Sequence, residues 1–220
     1  MHVQLVGKPT AYLLTPPEYR SRGAPPVSWW LDAYLRLKNQ PYYVGLLSAA
    51  ESYGSSQQAV QVTQVLTTRP THPIELGLVR VEFYVKKNLV QTLVRQPAGM
   101  RAPLAVSSPE TTVLDLIAYS HRIGGIGRAA QVISGMKPSL TLQGLRAALQ
   151  AEPDTAVKQR LGYLFHVLGW DAMATEVARF FTKRLAAVVL QPRTDSQRDR
   201  SSIERPWYVI DNIDLKGRLE

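Results

Sequence analysis

Three short patterns in this chain have the residue types of a chemical site. Gly125-Ile-Gly127-Arg-Ala-Ala130 matches the G-x-G-x-x-A of dinucleotide-binding loops. Such a loop works because a strand ends just before it and a helix begins just after it, so that backbone N–H groups meet the pyrophosphate. Here the preceding residues Val113, Leu114, Leu116 and Ile117 have helical spacing, and no acidic residue closes a second strand at the needed distance. The context predicts a helix break and the start of the next helix. Ser134-Gly-Met-Lys137 satisfies S-x-x-K, a nucleophile pattern of penicillin-binding enzymes, but the S-D-N and K-T-G companions are absent. Asp214-Leu-Lys216 is a D-x-K, the tail of a nuclease motif in which gathered carboxylates hold Mg²⁺ and a lysine sits near the attacking water. On an extended strand Asp211 points to the other face, and Glu82 would have to come from another strand. A Mg-dependent nuclease is the least supported of three functional readings.

The rest of the metal and nucleophile inventory is thin. Cysteine is absent, which removes disulfides, thiolate metal sites and a cysteine nucleophile together. His2, His72, His121 and His166 stand at no ligand spacing with one another or with a carboxylate pair. His166 lies inside an apolar helical run and is expected in the core or at its rim. No catalytic residue, cofactor or metal is expected, and the chain is read as a non-enzyme.

Charge gives the stronger lead. Lys and Arg number 26 against 17 acids, a formal net charge of +9 over 220 residues. That excess suits a polyanionic partner. The basic residues Lys183, Arg184, Arg193, Arg198, Arg200 and Arg205 crowd one stretch, opposed by Asp195, Asp199 and Glu204, and are the candidate surface for nucleic acid or a partner. The segment 191–202 is polar, lacks aromatics and reads as an exposed loop. No run approaches the roughly 18 apolar residues of a membrane span, and the start lacks the layout of a signal peptide. A cytoplasmic protein without a membrane partner is expected.

The elements that must position these residues read as follows. Tyr12 to Leu14 is a short strand. Ser28 suits the N-cap of a helix carrying Trp29, Trp30, Leu31, Tyr34, Leu35 and Leu37, and 42–53 reads as a buried helix ended by Gly54. Residues 60–68 are Val- and Thr-rich and extended. Val79, Val81, Phe83 and Val85 alternate with Arg80, Glu82, Tyr84 and Lys86, which predicts a strand burying the first set and exposing Arg80, Glu82 and Lys86. Residues 104–106 form another strand, followed by Ser107 and Glu110 as a capping box with Pro109 in the first helical turn. Helices are expected over 126–136, 140–149, from Pro153-Asp154 to Gly169, and over 171–190, with a closing strand over 207–215 that rejoins the sheet. The predicted class is α+β: a central mixed, mainly antiparallel sheet packed by helices, a helical C-terminal half and a final strand. One domain over 1–220 is expected, with a possible subdivision into a strand-rich 1–120 and a helical 121–220.

An ordered set of motifs gives the chain a family resemblance. They are Tyr12-Leu-Leu-Thr-Pro-Pro-Glu-Tyr-Arg20, Gly23-Ala-Pro-Pro26, Pro41-Tyr-Tyr-Val-Gly-Leu-Leu-Ser-Ala-Ala50, Val106-Ser-Ser-Pro-Glu110 with Asp115, and Gln159-Arg-Leu-Gly-Tyr-Leu164. Together with the ending 207–215 they resemble the AbiEi antitoxins, partners of AbiEii nucleotidyltransferase toxins in bacterial abortive infection. The resemblance implies a type IV antitoxin that counters its toxin without a stable complex. Many members also repress their own operon through an N-terminal winged helix-turn-helix. About eleven residues precede the matching segment, so the resemblance is to the antitoxin domain without that reader, and DNA binding is expected to be weak. An autorepressing DNA-binding regulator is the alternative function. By their own chemistry Tyr42, Tyr43, Leu46 and Leu47 suit a core, and Arg160 suits either an internal anchor or a partner contact.

Overall fold

The computed structural model describes residues 2–6, 11–55, 62–96, 102–182, 184–192 and 203–219. The chain opens with β1 (His2–Val6) and β2 (Ala11–Thr15), paired antiparallel as a sheet of their own. Then come α1 (Leu31–Leu37), β3 (Tyr42–Val44), α2 (Leu46–Glu51), β4 (Val62–Thr67), β5 (Ile74–Leu76), β6 (Val79–Val85), β7 (Val94–Arg95) and β8 (Val106–Ser107). A helical stretch follows: α3 (Pro109–Ala118), α4 (Ile126–Gly135), α5 (Leu142–Ala151), α6 (Thr155–Val167) and α7 (Asp171–Ala178). β9 (Val188–Val189), β10 (Ile203–Glu204), β11 (Val209–Ile210) and α8 (Leu215–Leu219) end the described chain.

Strands in the order β5-β6-β4-β3-β8-β7 make a six-stranded sheet. The pairs β5/β6, β3/β4 and β7/β8 are antiparallel, whereas β4/β6 and β3/β8 are parallel. This is the expected α+β fold with a mixed, mainly antiparallel sheet. Both faces are covered. Successive strand residues point to opposite sides, so Tyr43 and Leu66 enter the core built by α3 to α7, while Val44, Val65 and Val81 enter a second core under α1. Tyr84 packs on the first core and Phe83 on the second.

A doubly covered sheet needs apolar residues at both parities of a strand, which is where the alternation expected for β6 breaks. Val81 is buried and Arg80 exposed as expected, but Val85 is 41% exposed and Lys86 only 6%. At the end of β6 the second core has run out, and the helical side draws Lys86 in.

Other boundaries shift for local reasons. The expected helix over 42–53 is split, because Tyr42, Tyr43 and Val44 are aromatic or β-branched and pair with β4. Gly45 is extended and Leu46 takes φ 53°, so only α2 is helical. Ser28 caps nothing: residues 27–29 form a 3-10 turn, and α1 starts after Trp30 without a side-chain cap. The strand expected over 104–106 is shorter and starts two residues later, at Val106–Ser107. The helix expected over 171–190 stops at Ala178, and Val188–Val189 instead pairs in parallel with β11. The closing strand does not rejoin the large sheet. Only Val209–Ile210 is extended, between β10 and β9 in a small three-stranded sheet, and Leu215 begins α8.

The capping box is displaced by one residue. Ser108 is the N-cap of α3, its hydroxyl accepting from the Thr111 N–H at 3.1 Å, with Pro109 in the first turn. Glu110 is buried and serves another helix. Its Oε1 accepts from the Thr141 N–H and the Thr141 hydroxyl, both at 2.9 Å, where α5 begins. Negative charge is favoured at a helix N-terminus. The carboxylate fits because residue 144 is glycine; a Cβ there would stand 2.7 Å from Glu110 Oε2.

Candidate functional site

The three sequence patterns do not open a site. Gly125 stands just before α4 at φ 95°, behind a 3-10 turn rather than a strand. The place a phosphate would take is filled: Gln191 Oε1 accepts from the Ile126 N–H at 3.2 Å. Ser134 donates to the Gln131 carbonyl at 2.8 Å, and Lys137 lies 5.2 Å from the Trp170 ring centroid. Ahead of the D-x-K, Asp211 accepts from the Leu215 N–H at the start of α8 at 2.8 Å and from the Tyr163 hydroxyl at 2.9 Å. Asp214 accepts from the Gly217 N–H at 3.4 Å. His72, His121 and His166 are all exposed and lie on separate segments, so His166 is outside the core whose interior or rim is expected to hold it. Among the described residues no cluster of His, Asp or Glu could hold a metal ion.

What the fold does bring together is a buried polar cluster. Tyr43 on β3, Lys86 just past β6, Asp115 on α3 and Glu152 just past α5 converge between the sheet and the helices. Lys86 Nζ lies 2.6 Å from Asp115 Oδ1 and 3.9 Å from Glu152 Oε2. The Tyr43 hydroxyl donates to Asp115 Oδ2 at 2.8 Å. Both oxygens of a carboxylate that is 0% exposed are therefore satisfied. Burial pushes the Asp115 carboxyl above its ordinary range, and the Lys86 ammonium and the Tyr43 hydroxyl pull it back. The Tyr43 hydroxyl is pushed well up by burial first and by the Asp115 charge second. The cavity beside the cluster, between Lys86, Thr92 and Glu152, has room for about 10 Å³. That is less than a substrate needs and at most one water, so the arrangement ties sheet to helices. The sequence hid it because Lys86 occupies a position that alternation assigns to solvent.

The Gln159–Leu164 segment has a similar duty toward the small sheet. Gln159 Nε2 donates to the carbonyls of Ala186 and Trp207, both at 2.9 Å, and Arg160 Nε donates to the Val189 carbonyl at 3.0 Å. Gly162 leaves space for the Trp207 ring, which a Cβ would strike. Arg160 is thus an internal anchor, to backbone rather than to a carboxylate.

Of the candidate basic surface, Lys183, Arg193, Arg198 and Arg200 lie outside the described residues. Arg184 and Arg205 are exposed. The small sheet joins their two segments, since β9 follows Arg184 and β10 precedes Arg205. Arg205 stacks 5.9 Å from the Tyr208 ring centroid. Lys158, not singled out in the sequence, sits 5.2 Å from the Phe180 ring centroid, and burial lowers its ammonium below the usual lysine range.

A family model described as the AbiEi antitoxin C-terminal domain matches residues 43–167, more than half of the chain. The chain belongs to the AbiEi antitoxin family. The AbiEi match runs from Tyr43 to the last residue of α6 and so contains the whole buried cluster, the Glu110 cap and the Gln159–Leu164 anchors. Arg184 and Arg205 fall beyond it. A crystal structure of the Rv2827c protein from Mycobacterium tuberculosis resembles this AbiEi chain with a TM-score of 0.59 at 16% identity, over 86% of this chain and 69% of that one. At that identity the likeness speaks to fold. A search of curated proteins finds no match. No helix among the described residues is long and apolar enough to cross a membrane.

Proposed function

We propose that this chain is the antitoxin of a bacterial type IV toxin–antitoxin system and counters a nucleotidyltransferase-like toxin of the AbiEii kind in the cytoplasm, without a stable complex. The observation that carries this reading is the AbiEi match over 43–167, which coincides with the part of the fold held by the Tyr43–Asp115–Lys86 tie. Co-expression tests it. An inducible nucleotidyltransferase-like toxin from the neighbouring gene should stop growth alone, and this chain should restore it. Persistent growth arrest with the folded chain present sinks the proposal.

The charge of +9 and the exposed Arg184 and Arg205 favour a second reading, a DNA-binding regulator of the same operon. Phosphate contacts give affinity that falls steeply with salt and is blind to sequence. Mobility shifts on operator and scrambled duplexes over a salt series separate the two. Equal, salt-sensitive retardation supports non-specific contact; retardation lost on an operator mutation establishes a reader.

A further inference from the structure

Among the described residues β7 is one of the two edge strands of the six-stranded sheet and pairs with β8 alone. The Ser108 N–H donates to the Leu93 carbonyl at 3.0 Å, and the register then pairs Val94 with Ser107 and Arg95 with Val106. In an antiparallel pair, alternate residues turn their amide and carbonyl away from the partner. Val94 is the residue whose backbone polar groups face outward. Beside it runs an open groove of about 690 Å³ between the end of α1 and residues 89–94. Its floor includes Pro41, Leu89, Val90 and Val94, and its outer apolar side chains are well exposed, Val90 at 81% and Val94 at 48%.

The net charge around this groove is positive. Asp32 is the acid in its lining, and it is taken by Arg36 at 2.7 Å and by the Tyr42 hydroxyl at 2.9 Å. Arg69 is exposed yet held in place, its Nε donating to Gln40 Oε1 at 3.0 Å and its Nη2 to the Asn39 carbonyl at 3.1 Å. Lys38 adds a third cation beside this lip, 4.7 Å from the Tyr34 ring centroid. The opposite lip, 87–96, contains Lys87 and Arg95 and no acid.

We propose that this groove docks an extended segment of a partner protein that alternates apolar and acidic residues and lies alongside β7. Strand addition to an open sheet edge supplies backbone hydrogen bonds, while alternate side chains supply specificity. One parity would cover Val90 and Val94, and the other would meet Lys38 and Arg69, since Arg36 already answers Asp32. The exposed apolar side chains of the groove are aliphatic, and Tyr42, the aromatic in its lining, is half-buried with its hydroxyl held by Asp32, whereas single-stranded nucleic acid stacks on open aromatic faces. This surface adds a partner to the antitoxin reading but does not rest on it, because its test uses peptides rather than growth rescue.

The test is fluorescence anisotropy of the full chain with a labelled peptide alternating Val and Glu, a counterpart with Lys for Glu, and a labelled single-stranded oligonucleotide. The Glu peptide should bind, and the Lys peptide should bind at least about tenfold more weakly. Arg69→Glu and Val90→Asp change exposed side chains and should each weaken the Glu peptide by about tenfold. Leu142→Asp, exposed on α5, should leave it unchanged. Equal binding of both peptides, no binding below roughly 1 mM, or insensitivity to Arg69→Glu and Val90→Asp overturns the proposal. So does tighter binding of the oligonucleotide with the same dependence on those two residues.

Discussion

Replacing Lys86 by methionine keeps the apolar stem and deletes the ammonium. Asp115, 0% exposed, would then keep the Tyr43 hydroxyl at 2.8 Å and lose its partner at 2.6 Å. Breaking a buried ion pair from one side costs about 3–5 kcal/mol, mostly the burden of the charge left behind. For a chain of this size each kcal/mol moves the melting temperature by roughly 2–4 °C, so a drop of roughly 6–20 °C is expected. Replacing both residues in Lys86→Met/Asp115→Leu takes from the Tyr43 hydroxyl its carboxylate acceptor and leaves it the Thr92 side chain, a smaller cost of about 1–3 kcal/mol. The double variant should therefore be more stable than Lys86→Met. Acid supplies an independent check. Burial already raises the Asp115 carboxyl, and without Lys86 it rises further. A carboxyl with a folded-state pKa above its unfolded value binds more protons when folded, so it destabilises most above the raised pKa and less as pH falls toward about 4. Urea unfolding of both proteins, followed by tryptophan fluorescence at about pH 7.5 and about pH 4.5, should show a deficit that narrows on acidification. A deficit under about 1 kcal/mol at neutral pH, or one that widens in acid, refutes the reasoning.

Gly162→Ala drives a Cβ into the Trp207 ring, and overpacking of this kind costs about 1–3 kcal/mol. Hydrogen exchange at residues 188–189 and 209–210 should accelerate; unchanged exchange would mean that Trp207 does not clamp the small sheet. Asp154→Ala removes the cap that accepts from the Ala156 N–H at 2.8 Å and should cost about 1 kcal/mol in thermal or urea unfolding. Calorimetry with ATP, NAD and Mg²⁺ should give no specific heat, because Gln191 occupies the N-terminus of α4; binding that Gly127→Val abolishes would restore the glycine loop as a site. Arg184→Ala with Arg205→Ala should reduce DNA affinity on all sequences alike and lower the salt slope by about 1 for each phosphate no longer neutralised; an unchanged slope would remove both residues from the surface.

Legibility in the sequence follows the length of each periodic signal. α6 spans 13 residues between an Asp154 cap and Gly169, and its sequence announces both ends. The two-residue strands β9, β10 and β11 carry no period, and the helical pattern from 171 onward runs through the first of them. Tyr42 to Val44 is hidden differently. The aromatic and branched residues favour a strand, but the small residues that follow extend a helical pattern backwards across them. The candidate site is less legible still. Asp115 and Lys86 are separated by 29 positions, and Tyr43 and Asp115 by 72, so topology alone reveals that they meet. Lys86 in particular obeys the alternation of β6; the expectation fails over which face is wet.

The polar residues within the motifs that carry the family resemblance are largely interior. Tyr43 and Asp115 bond to each other, Glu110 caps α5, and Gln159, Arg160 and Gly162 hold the small sheet. Each polar side chain among them satisfies a group that would otherwise be buried without a partner, and such groups are expensive to lose. Substitution at these positions should therefore abolish any activity of the chain by way of its stability. This gives a rule for separating scaffold from surface in a rescue screen. A variant that loses both rescue and melting temperature reports on the tie, whereas one that loses rescue at an unchanged melting temperature reports on a binding surface. Val90 and Arg69 beside β7, and Arg184 and Arg205 at the small sheet, are exposed and belong to the second kind. Which of these two surfaces shows rescue loss without destabilisation decides whether antitoxin action runs through a polypeptide or through phosphate.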